Sequence, residues 1–460
     1  MTEAVICVDV GSTYTKAAAV DAHTGALYAT ASHATTLSSD VMDGLRTVAD
    51  QVTSDLPSTV TVADTLVCSS AGGGLRLGVI GNEPLVTARA AYRAGLSAGA
   101  RVVNVCAGDV SDDDFRALAA ARPDVLLLAG GTDGGDATVL SSRAQSLADF
   151  VRTEPQLAVP VVVAGNNEAA PSAANVLAAT GMPVTCVDNV LPRIGHLNPA
   201  PARRALREVF LRHVIAGKEL SAGENFVSLV KAATPDAVLA GVELLADVTI
   251  QQLLVVDVGG ATTDVYSVLT PDAELEGPRA EVAGTAWRSR TVEGDLGVRH
   301  TATGIVAAAK VENLLSEQDS GLEAAAEYRF DHPEFRSDTD KNRAFDAHLT
   351  SLAATIAVRR HARGERIGGP TEPLRGGKDL AAIDLVIGSG GVLRGNPASA
   401  IEWLTSAVCQ DTAGGFRPAR DATVAIDATY VLAPAGLMAS AGYVSAATQL
   451  VTSELASTSL

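Results

Sequence analysis

The chain has 460 residues, of which 47% are hydrophobic and 19% charged, and its formal net charge is −18 at pH 7. This composition is typical of a globular protein with more than one domain and not of a disordered chain. The acidic balance and the lack of a basic face argue against a nucleic-acid partner. No apolar run approaches the roughly 20 residues of a membrane helix, so no membrane association is predicted.

The cysteine spacing and the first residues of the chain indicate the cellular compartment in which the protein works. The five cysteines are scattered without a C-x-x-C pair, which argues against a zinc site and against a disulfide framework. The start MTEAVICVDV has neither a basic region nor a small-residue cleavage site of the secretory kind. We therefore predict a cytoplasmic protein.

The first part of the chain predicts strands followed by a helix. Turn signals separate three short apolar runs, and apolar residues at helical spacing follow Ser38 and Ser39, either of which is suited to cap the helix. Another strand and a glycine-rich turn come next in TLVCSSAGGGLRLGVIG. The predicted elements are strands at Val5–Val10, Thr13–Val20 and Gly25–Ala31 and a helix at Ser38–Ser54.

The rest of the chain predicts an α/β insertion and then a second half. Helices and strands alternate after Pro84, which indicates a parallel sheet covered by helices. A mainly helical segment follows at 203–245, and after it comes a second strand–turn–strand unit. Later in the chain we expect a surface helix and loop at 317–343, a helix near 344–362 and a final helix near Leu437. The predicted domains are 1–245 with an insertion at about 84–200, 246–436, and a C-terminal helix at 437–460 that packs back on the first domain.

Two distant stretches of the chain are nearly alike. VICVDVGSTYTKAAAV begins at Val5, and LLVVDVGGATTDVYSV begins at Leu253. Aligned on their aspartates, Asp9 and Asp257, the two stretches share the motif V-D-V-G followed by a threonine and a valine at the same offsets. The repeat predicts two related half-molecules that face a shared ligand.

Each copy carries the residue types that a polyphosphate requires. Glycine lets the backbone approach the phosphates closely, hydroxyl and amide groups donate to them, and a carboxylate holds the accompanying magnesium, often through water. Alone, one copy would be consistent with an ordinary hairpin and a capping aspartate. The candidate residues are Asp9, Gly11, Ser12, Thr13, Thr15 and Lys16 in the first copy and Asp257, Gly259, Gly260, Thr262 and Thr263 in the second.

A third glycine cluster follows another predicted strand in DLVIGSGGVLRG. A flat base and ribose fit against bare backbone, so Gly388, Gly390 and Gly391 are candidates for contacting adenosine. Alone, this turn is equally consistent with the entry to a helix. After two phosphate hairpins it completes a nucleotide cleft.

These three elements together resemble the actin-like ATPase superfamily. The resemblance implies an α/β protein with two domains, a duplicated ribonuclease H-like fold and a nucleotide cleft between the domains. It also implies the cofactors ATP and Mg²⁺, with Asp9 and Asp257 facing the metal from opposite sides. The phosphates would then lie at the two hairpins and the adenosine at Gly390 and Gly391.

A closer resemblance is to the MutL/GlmL family, which accompanies glutamate mutase and related adenosylcobalamin-dependent enzymes. It depends on the motifs CSSAGGGLRLG, LLLAGGTDGGD, DNVLP, TVEGDLGVR and IGSGGVL. The family implies an ATPase that acts as an accessory, reactivating chaperone and binds an adenosylcobalamin-dependent mutase as its protein partner.

Three further loops contain candidate functional residues. In EGDLGVR, Glu293 or Asp295 is a candidate for orienting the attacking water or contacting ribose, the alternative being two solvated acids at a turn. In AGGTDGGD, Asp133 or Asp136 either binds a ligand or caps the next helix. The pair Asn166–Asn167 ends another strand and is a candidate for the same site. The eight histidines show no metal-binding spacing.

Two other functions remain open from the sequence. One is a small-molecule kinase or a hydantoinase-like ATP-dependent enzyme, because the pattern D-x-G-G-x-T-T-D at Asp257–Asp264 is similar to the pattern of that group. The other is a non-catalytic actin relative that assembles into filaments. Metabolite-dependent ATP turnover would favour the first, and ATP-dependent polymerisation the second.

Overall fold

The structure is a computed structural model of the chain. The predicted cap Ser38 and the three glycines at 72–74 lie outside the described residues. The structure describes all residues except 1, 38, 72–74, 85, 99, 211, 213–219, 222–224, 270–287, 317–318, 367–373, 377, 412, 414–415 and 457–460.

The described strands form three five-stranded sheets and one small hairpin. In chain order they are β1 Thr2–Val10, β2 Tyr14–Asp21, β3 Leu27–Ala34, β4 Val60–Ser69, β5 Arg76–Ile80, β6 Arg101–Cys106, β7 Val125–Leu128, β8 Val161–Val163, β9 Val184–Cys186, β10 Val230–Ala233, β11 Leu253–Val258, β12 Thr263–Val268, β13 Arg288–Glu293, β14 Gly364–Arg366, β15 Leu374–Gly376, β16 Leu385–Ser389 and β17 Thr423–Ile426.

The described α-helices connect and cover these sheets. They are α1 Val41–Ser54, α2 Thr87–Ser97, α3 Asp112–Ala120, α4 Thr138–Thr153, α5 Ala170–Ala178, α6 Ala200–Val209, α7 Asn225–Leu229, α8 Thr234–Thr249, α9 Ala302–Val311, α10 Leu322–Asp331, α11 Asp340–Arg363, α12 Gly391–Gly395, α13 Pro397–Leu404, α14 Leu432–Ser440 and α15 Val444–Val451. A 3₁₀ turn lies at Pro155–Leu157, and π-helical turns lie at Thr405–Cys409 and Thr452–Ala456.

Two of the sheets have the same topology. The first has the order β3-β2-β1-β4-β10, and the second has the order β13-β12-β11-β16-β17. In each sheet the first three strands pair with one another in antiparallel fashion, and the fourth and fifth strands extend the sheet from the third in parallel. The two related halves predicted from the repeated stretch are therefore present, and the α/β, actin-like fold class that the resemblance implied is confirmed.

The third sheet lies within the first half of the chain. Its order is β6-β5-β7-β8-β9, and every pairing in it is parallel. Strands β7 and β8 are buried along their whole length, as expected where helices cover both faces. The parallel sheet predicted from the alternating pattern is confirmed, and its strand β5 begins before residue 84.

Several local predictions differ from the structure. Asp40, in extended conformation, caps α1 by accepting from the backbone N–H of Met42, so neither serine is the cap. The predicted helical segment 203–245 contains β10, a four-residue strand that pairing with β4 creates. The final helical region begins at Leu432 and not near Leu437, and Arg329 in the predicted surface segment is only 1% exposed.

Helices α8 and α14 pack against each other between the two duplicated sheets. A Cβ on Gly241 would collide with the carbonyl oxygen of Leu432, and a Cβ on Gly436 would collide with that of Ala237. Each helix therefore needs a glycine where the backbone of the other passes. One apolar cluster around this pair includes residues of both sheets, and the Cys7 Sγ donates to Pro434 O at 3.7 Å.

Candidate functional site

The turns of the two repeated hairpins are built in the same way. The backbone N–H of Gly11 donates to Tyr14 O at 3.0 Å, and that of Gly259 donates to Thr262 O at 2.9 Å. A Cβ would lie 2.7 Å from the same oxygen at Gly11 and 3.0 Å from it at Gly259. A side chain at Gly11 would therefore force the turn to shift, and one at Gly259 would make an unusually tight contact.

The two hairpins face each other directly. A Cβ on Gly260 would lie 2.7 Å from the Oγ1 of Thr13, which follows the half-buried Ser12. The Thr13 Oγ1 is buried and has no hydrogen-bond partner among the described residues. A buried hydroxyl without an acceptor is costly. The oxygen of a phosphate group between the hairpins is an acceptor of the kind that this hydroxyl lacks.

Asp9 lies at the end of β1 and is surrounded by donors. The carboxylate is 4% exposed; its Oδ2 accepts from the Tyr430 hydroxyl at 2.6 Å and lies 3.9 Å from Lys16 Nζ. Its Oδ1 accepts from the Thr234 hydroxyl and from the Cys68 thiol. The structure therefore places Asp9 in a polar centre that joins β1, β4, α8 and the segment after β17.

Asp257 is the counterpart of Asp9 in the second hairpin, but its surroundings differ. It is half-buried, and no described residue donates to its carboxylate or forms an ion pair with it. Burial raises the pKa of both Asp264 and Asp427, and the negative charge of Asp257 adds to each increase. Of the two predicted metal-binding carboxylates, Asp257 is the one whose oxygens remain available to a cation or its water.

The residues opposite the two aspartates carry opposite charges. Asp9 pairs with Lys16 across the first hairpin, and Asp257 pairs with Asp264 across the second. Directly opposed residues lie on the same face of a sheet, so Asp264 shares the face of Asp257. Arg290 Nη2 donates to Asp264 at 3.1 Å and opposes the pKa increase that burial causes. In the sequence, Asp264 stood out only as the last residue of the pattern D-x-G-G-x-T-T-D and not as a candidate site residue.

Glu293 and Asp295 both bind one arginine. Arg360 Nη1 donates to Glu293 at 2.6 Å and to Asp295 at 2.7 Å. The register pairs Glu293 with Thr263, one position from Asp264, so the side chain of Glu293 lies on the sheet face opposite to Asp257. The structure thus brings the two acids to Arg360 and does not bring Glu293 to Asp257.

The EGDLGVR loop instead supports the second hairpin through its backbone. The N–H of Val298 donates to Gly259 O at 3.1 Å, and that of Arg299 donates to Gly260 O at 2.9 Å. Gly297 packs directly against Ala261, where a Cβ would not fit. The loop therefore fixes the shape of the turn that faces Thr13.

Three predicted ligand-binding positions point into the core. The hydroxyl of Thr15 is 3.1 Å from that of Thr35, and the buried Thr263 donates to Leu296 O at 2.6 Å. A Cβ on Gly388 would lie 2.8 Å from the Cδ1 of Ile426. Packing accounts for these residues because each lies on the face of its strand that is turned away from the cleft.

The other two glycines of the predicted adenosine turn have distinct environments. Gly390 has a φ of +118°, and its missing Cβ would collide with the carbonyl oxygen of Val258 at the end of β11. Beside Gly391, a Cβ would have nothing within 4 Å. The turn is thus held against the second hairpin at Gly390 and opens into space at Gly391.

The sequence motifs did not point to Tyr430, Arg394 or Asp427 as residues of the cleft. Two cations contact the Tyr430 ring: Lys16 Nζ lies 3.7 Å and the Cζ of Arg394 lies 4.6 Å from its centroid. Burial lowers the pKa of Lys16, and the charge of Arg394 lowers it further. Asp427 is fully buried and accepts the N–H of Val431 at 2.8 Å. Tyr430 and Asp427 follow β17 and Arg394 lies in the short helix α12, so all three are outside the repeated motifs.

The AGGTDGGD loop forms a network of its own. Asp133 Oδ1 accepts from the Asn167 N–H at 3.1 Å and from Asn189 Nδ2 at 3.0 Å, and Asn166 Nδ2 donates to the carbonyl oxygen of the loop at 2.7 Å. Asp136 accepts the N–H of Thr138, the first residue of α4, at 2.8 Å, although the N-cap position of this helix is Ala137 and not Asp136. No group of three acidic, histidine or cysteine residues in the described part of the chain is arranged to hold a metal.

The paired sheets, the central helix pair and the two facing glycine hairpins define a protein of the actin-like fold class. The chain belongs to the MutL family, whose model, described as MutL protein, matches residues 5–455. Protein MutL of Clostridium tetanomorphum is 35% identical over 459 residues, which cover 95% of this chain and 96% of that protein.

The similar solved structures are more distant in sequence. An acetone carboxylase, described as nucleotide-free and ATP-dependent, is 13% identical over 95% of this chain and 70% of its own, with a TM-score of 0.42. The ligand-bound xylulose kinase of Lactobacillus acidophilus is 10% identical over 98% of this chain and 92% of its own, with a TM-score of 0.32. Within the described residues, no helix has both the length and the apolar character to cross a bilayer.

Proposed function

We propose that the chain binds and hydrolyses Mg-ATP between its two hairpins. The main observation is the Thr13 hydroxyl, buried and without a partner among the described residues, directly opposite Gly260. Bare backbone at the two turns allows phosphate oxygens to approach the amide groups. The open side of Gly391 is the matching surface for the adenosine.

The remaining residues have separate tasks in this proposal. Asp257 holds the magnesium ion, directly or through water, and the ion offsets the negative charge of the phosphates. Lys16 supplies positive charge from the first hairpin, since its ammonium is already half-buried in the cleft. Asp264, on the same face as Asp257, orients the attacking water; its burial and neighbouring Asp257 raise its pKa, which makes the carboxylate a better proton acceptor.

We further propose that ATP turnover serves to reactivate an adenosylcobalamin-dependent mutase of the glutamate mutase type. Membership of the MutL family supports this partner. A nucleotide between the hairpins contacts both halves and so changes the contact between them, and such a change acts on a partner only if the two states bind that partner differently. Affinity for the mutase should therefore depend on the nucleotide.

The test uses a mutase that turnover has inactivated. Wild-type protein with ATP and fresh adenosylcobalamin should restore activity, and Asp257→Asn should restore much less. No recovery with any of several adenosylcobalamin mutases, while the wild type still hydrolyses ATP, would contradict the reactivation step. ATP turnover that requires a small metabolite would support the kinase-like alternative, and an ATP-dependent rise in light scattering would support filament assembly.

A further inference from the structure

Arg336 reaches across the cleft from the second half to the first hairpin. Its side chain is exposed, and its Cζ lies 5.3 Å from the centroid of the Tyr14 ring. Tyr14 supplies the carbonyl that closes the turn at Gly11, and it directly follows Thr13. The guanidinium therefore lies against the side chain of the residue that closes the first phosphate hairpin.

The residues on both sides of Arg336 are anchored. Arg299 Nε donates to the carbonyl oxygen of Phe335 at 3.2 Å. The Ser337 hydroxyl donates to Asp346 Oδ2 at 2.7 Å. With its two neighbours fixed, the backbone of Arg336 is held in place while its side chain remains exposed.

The anchor is a buried ionic network centred on Asp346. Arg299 donates to its two oxygens at 3.0 and 2.9 Å, and the nearly fully buried Arg329 donates at 2.6 Å. Burial disfavours the carboxylate, but the two arginines outweigh this effect and lower the pKa of Asp346. The backbone N–H of Arg299 also donates to Gly260 O, so the network connects the Arg336 segment to the second hairpin.

Arg336 itself has no acidic partner in the described part of the chain, although the protein carries a net charge of −18. The guanidinium is planar, permanently charged and suited to bind two phosphate oxygens at once. An arginine held beside a phosphate hairpin and without a carboxylate partner is suited to bind an incoming anion.

We propose that Arg336 is a further catalytic residue and binds the γ-phosphate of ATP, an assignment that rests on the proposed ATPase function. In hydrolysis, the water oxygen forms a bond to the γ-phosphorus, and the bond from that phosphorus to the bridging oxygen breaks. The electron pair of that bond leaves with ADP, and the water gives up one proton, which reaches solvent through Asp264. Arg336 stabilises the negative charge on the transferred group, as arginine fingers do in GTPases.

The experiment compares Arg336→Ala and Arg336→Lys with the control Arg343→Ala, an exposed arginine of α11 that pairs with Asp340. Calorimetry measures affinity for Mg-ATP and for Mg-ADP, and single-turnover assays measure hydrolysis. We expect Arg336→Ala to weaken ATP binding by about tenfold, to leave ADP binding within about twofold, and to slow hydrolysis by about 100-fold or more. Arg336→Lys should recover part of each loss, and the control should match the wild type.

The outcomes separate this role from the ATPase function itself. Equal losses for ATP and ADP would show that Arg336 only joins the halves through Tyr14 and would overturn the assignment. Unchanged ATP binding and hydrolysis in a folded Arg336→Ala would also overturn the assignment of Arg336. The proposed ATPase function would still stand in that case, because the wild type would hydrolyse ATP. A wild type that binds neither nucleotide would overturn both.

Discussion

Tyr430 donates a hydrogen bond of 2.6 Å to Asp9 although 421 positions separate the two residues in the chain. Tyr430 follows the last strand of the second sheet, and Asp9 lies in the first strand of the first sheet. The tyrosine has a φ of +59°, a conformation that costs energy for a residue with a bulky side chain. The contact thus joins the two halves at the predicted phosphate site and holds a strained residue there.

Loss of the Tyr430 hydroxyl should weaken this connection without removing the ring. We expect Tyr430→Phe to lower the free energy of unfolding by about 1.5–3 kcal/mol, because a hydrogen bond to a buried carboxylate is lost. Urea denaturation measures the change. Tyr443→Phe is the matched control, since no described residue forms a hydrogen bond with the Tyr443 hydroxyl. Equal stabilities of the two variants would contradict this prediction.

The two aspartates should differ in their response to the same substitution. Asp257→Asn should reduce the magnesium-dependent part of ATP affinity, because the neutral amide no longer attracts the cation. Asp9→Asn should mainly reduce stability, because Asp9 is held by Lys16, Thr234 and Tyr430. Calorimetry with and without magnesium, together with thermal unfolding, separates the two effects. Identical ATP affinity with and without magnesium in wild type and Asp257→Asn would contradict the metal assignment.

The adenosine turn offers two neighbouring glycines with opposite expected behaviour. Gly391→Val should fold normally, because its Cβ meets no atom within 4 Å, and should weaken ATP binding by at least about tenfold, or about 1.4 kcal/mol. Gly390→Ala should instead destabilise the fold, because its φ is +118° and Val258 O occupies the space. Circular dichroism and nucleotide titration test both variants. Normal ATP affinity in folded Gly391→Val would place the adenosine elsewhere.

His361 predicts a dependence of stability on pH. The buried ring makes hydrogen bonds with Thr291 at 3.0 Å and Ser267 at 2.8 Å, and burial lowers its pKa from 6.5 to about 3, with a smaller contribution from Lys378. Between these values the unfolded chain binds a proton that the folded protein does not. Stability from this group is therefore complete above pH 6.5 and is lost as the pH falls toward 3, by about 1.4 kcal/mol per unit.

Substitution of the histidine isolates this effect from the carboxylates. Urea unfolding of the wild type and of His361→Gln should be compared at pH 7.5 and pH 5.5. The variant should be less stable at the higher pH but should lose less stability on acidification than the wild type does. The same loss in both proteins would show that His361 does not contribute to the pH dependence.

The sequence predicted the two strand–turn–strand hairpins and the duplication of the fold, because both hairpins carry the same local pattern. It did not predict which side chains point into the cleft. Thr15 and Thr263 lie one position away from Lys16 and Asp264, and this single step moves a side chain to the other face of its strand. The sequence also could not reveal Tyr430, since its contact with Asp9 exists only after the two sheets have assembled around α8 and α14.

The opposite charges of Lys16 and Asp264 give the duplicated cleft a direction. If two identical halves were related by a twofold axis, an elongated anion could bind between them in two equivalent orientations, and neither orientation would be preferred. A lysine on one side and an aspartate on the other remove this equivalence, because the two positions pair in register with Asp9 and Asp257. Divergence at one position of an internal repeat is thus enough to break the symmetry that duplication creates.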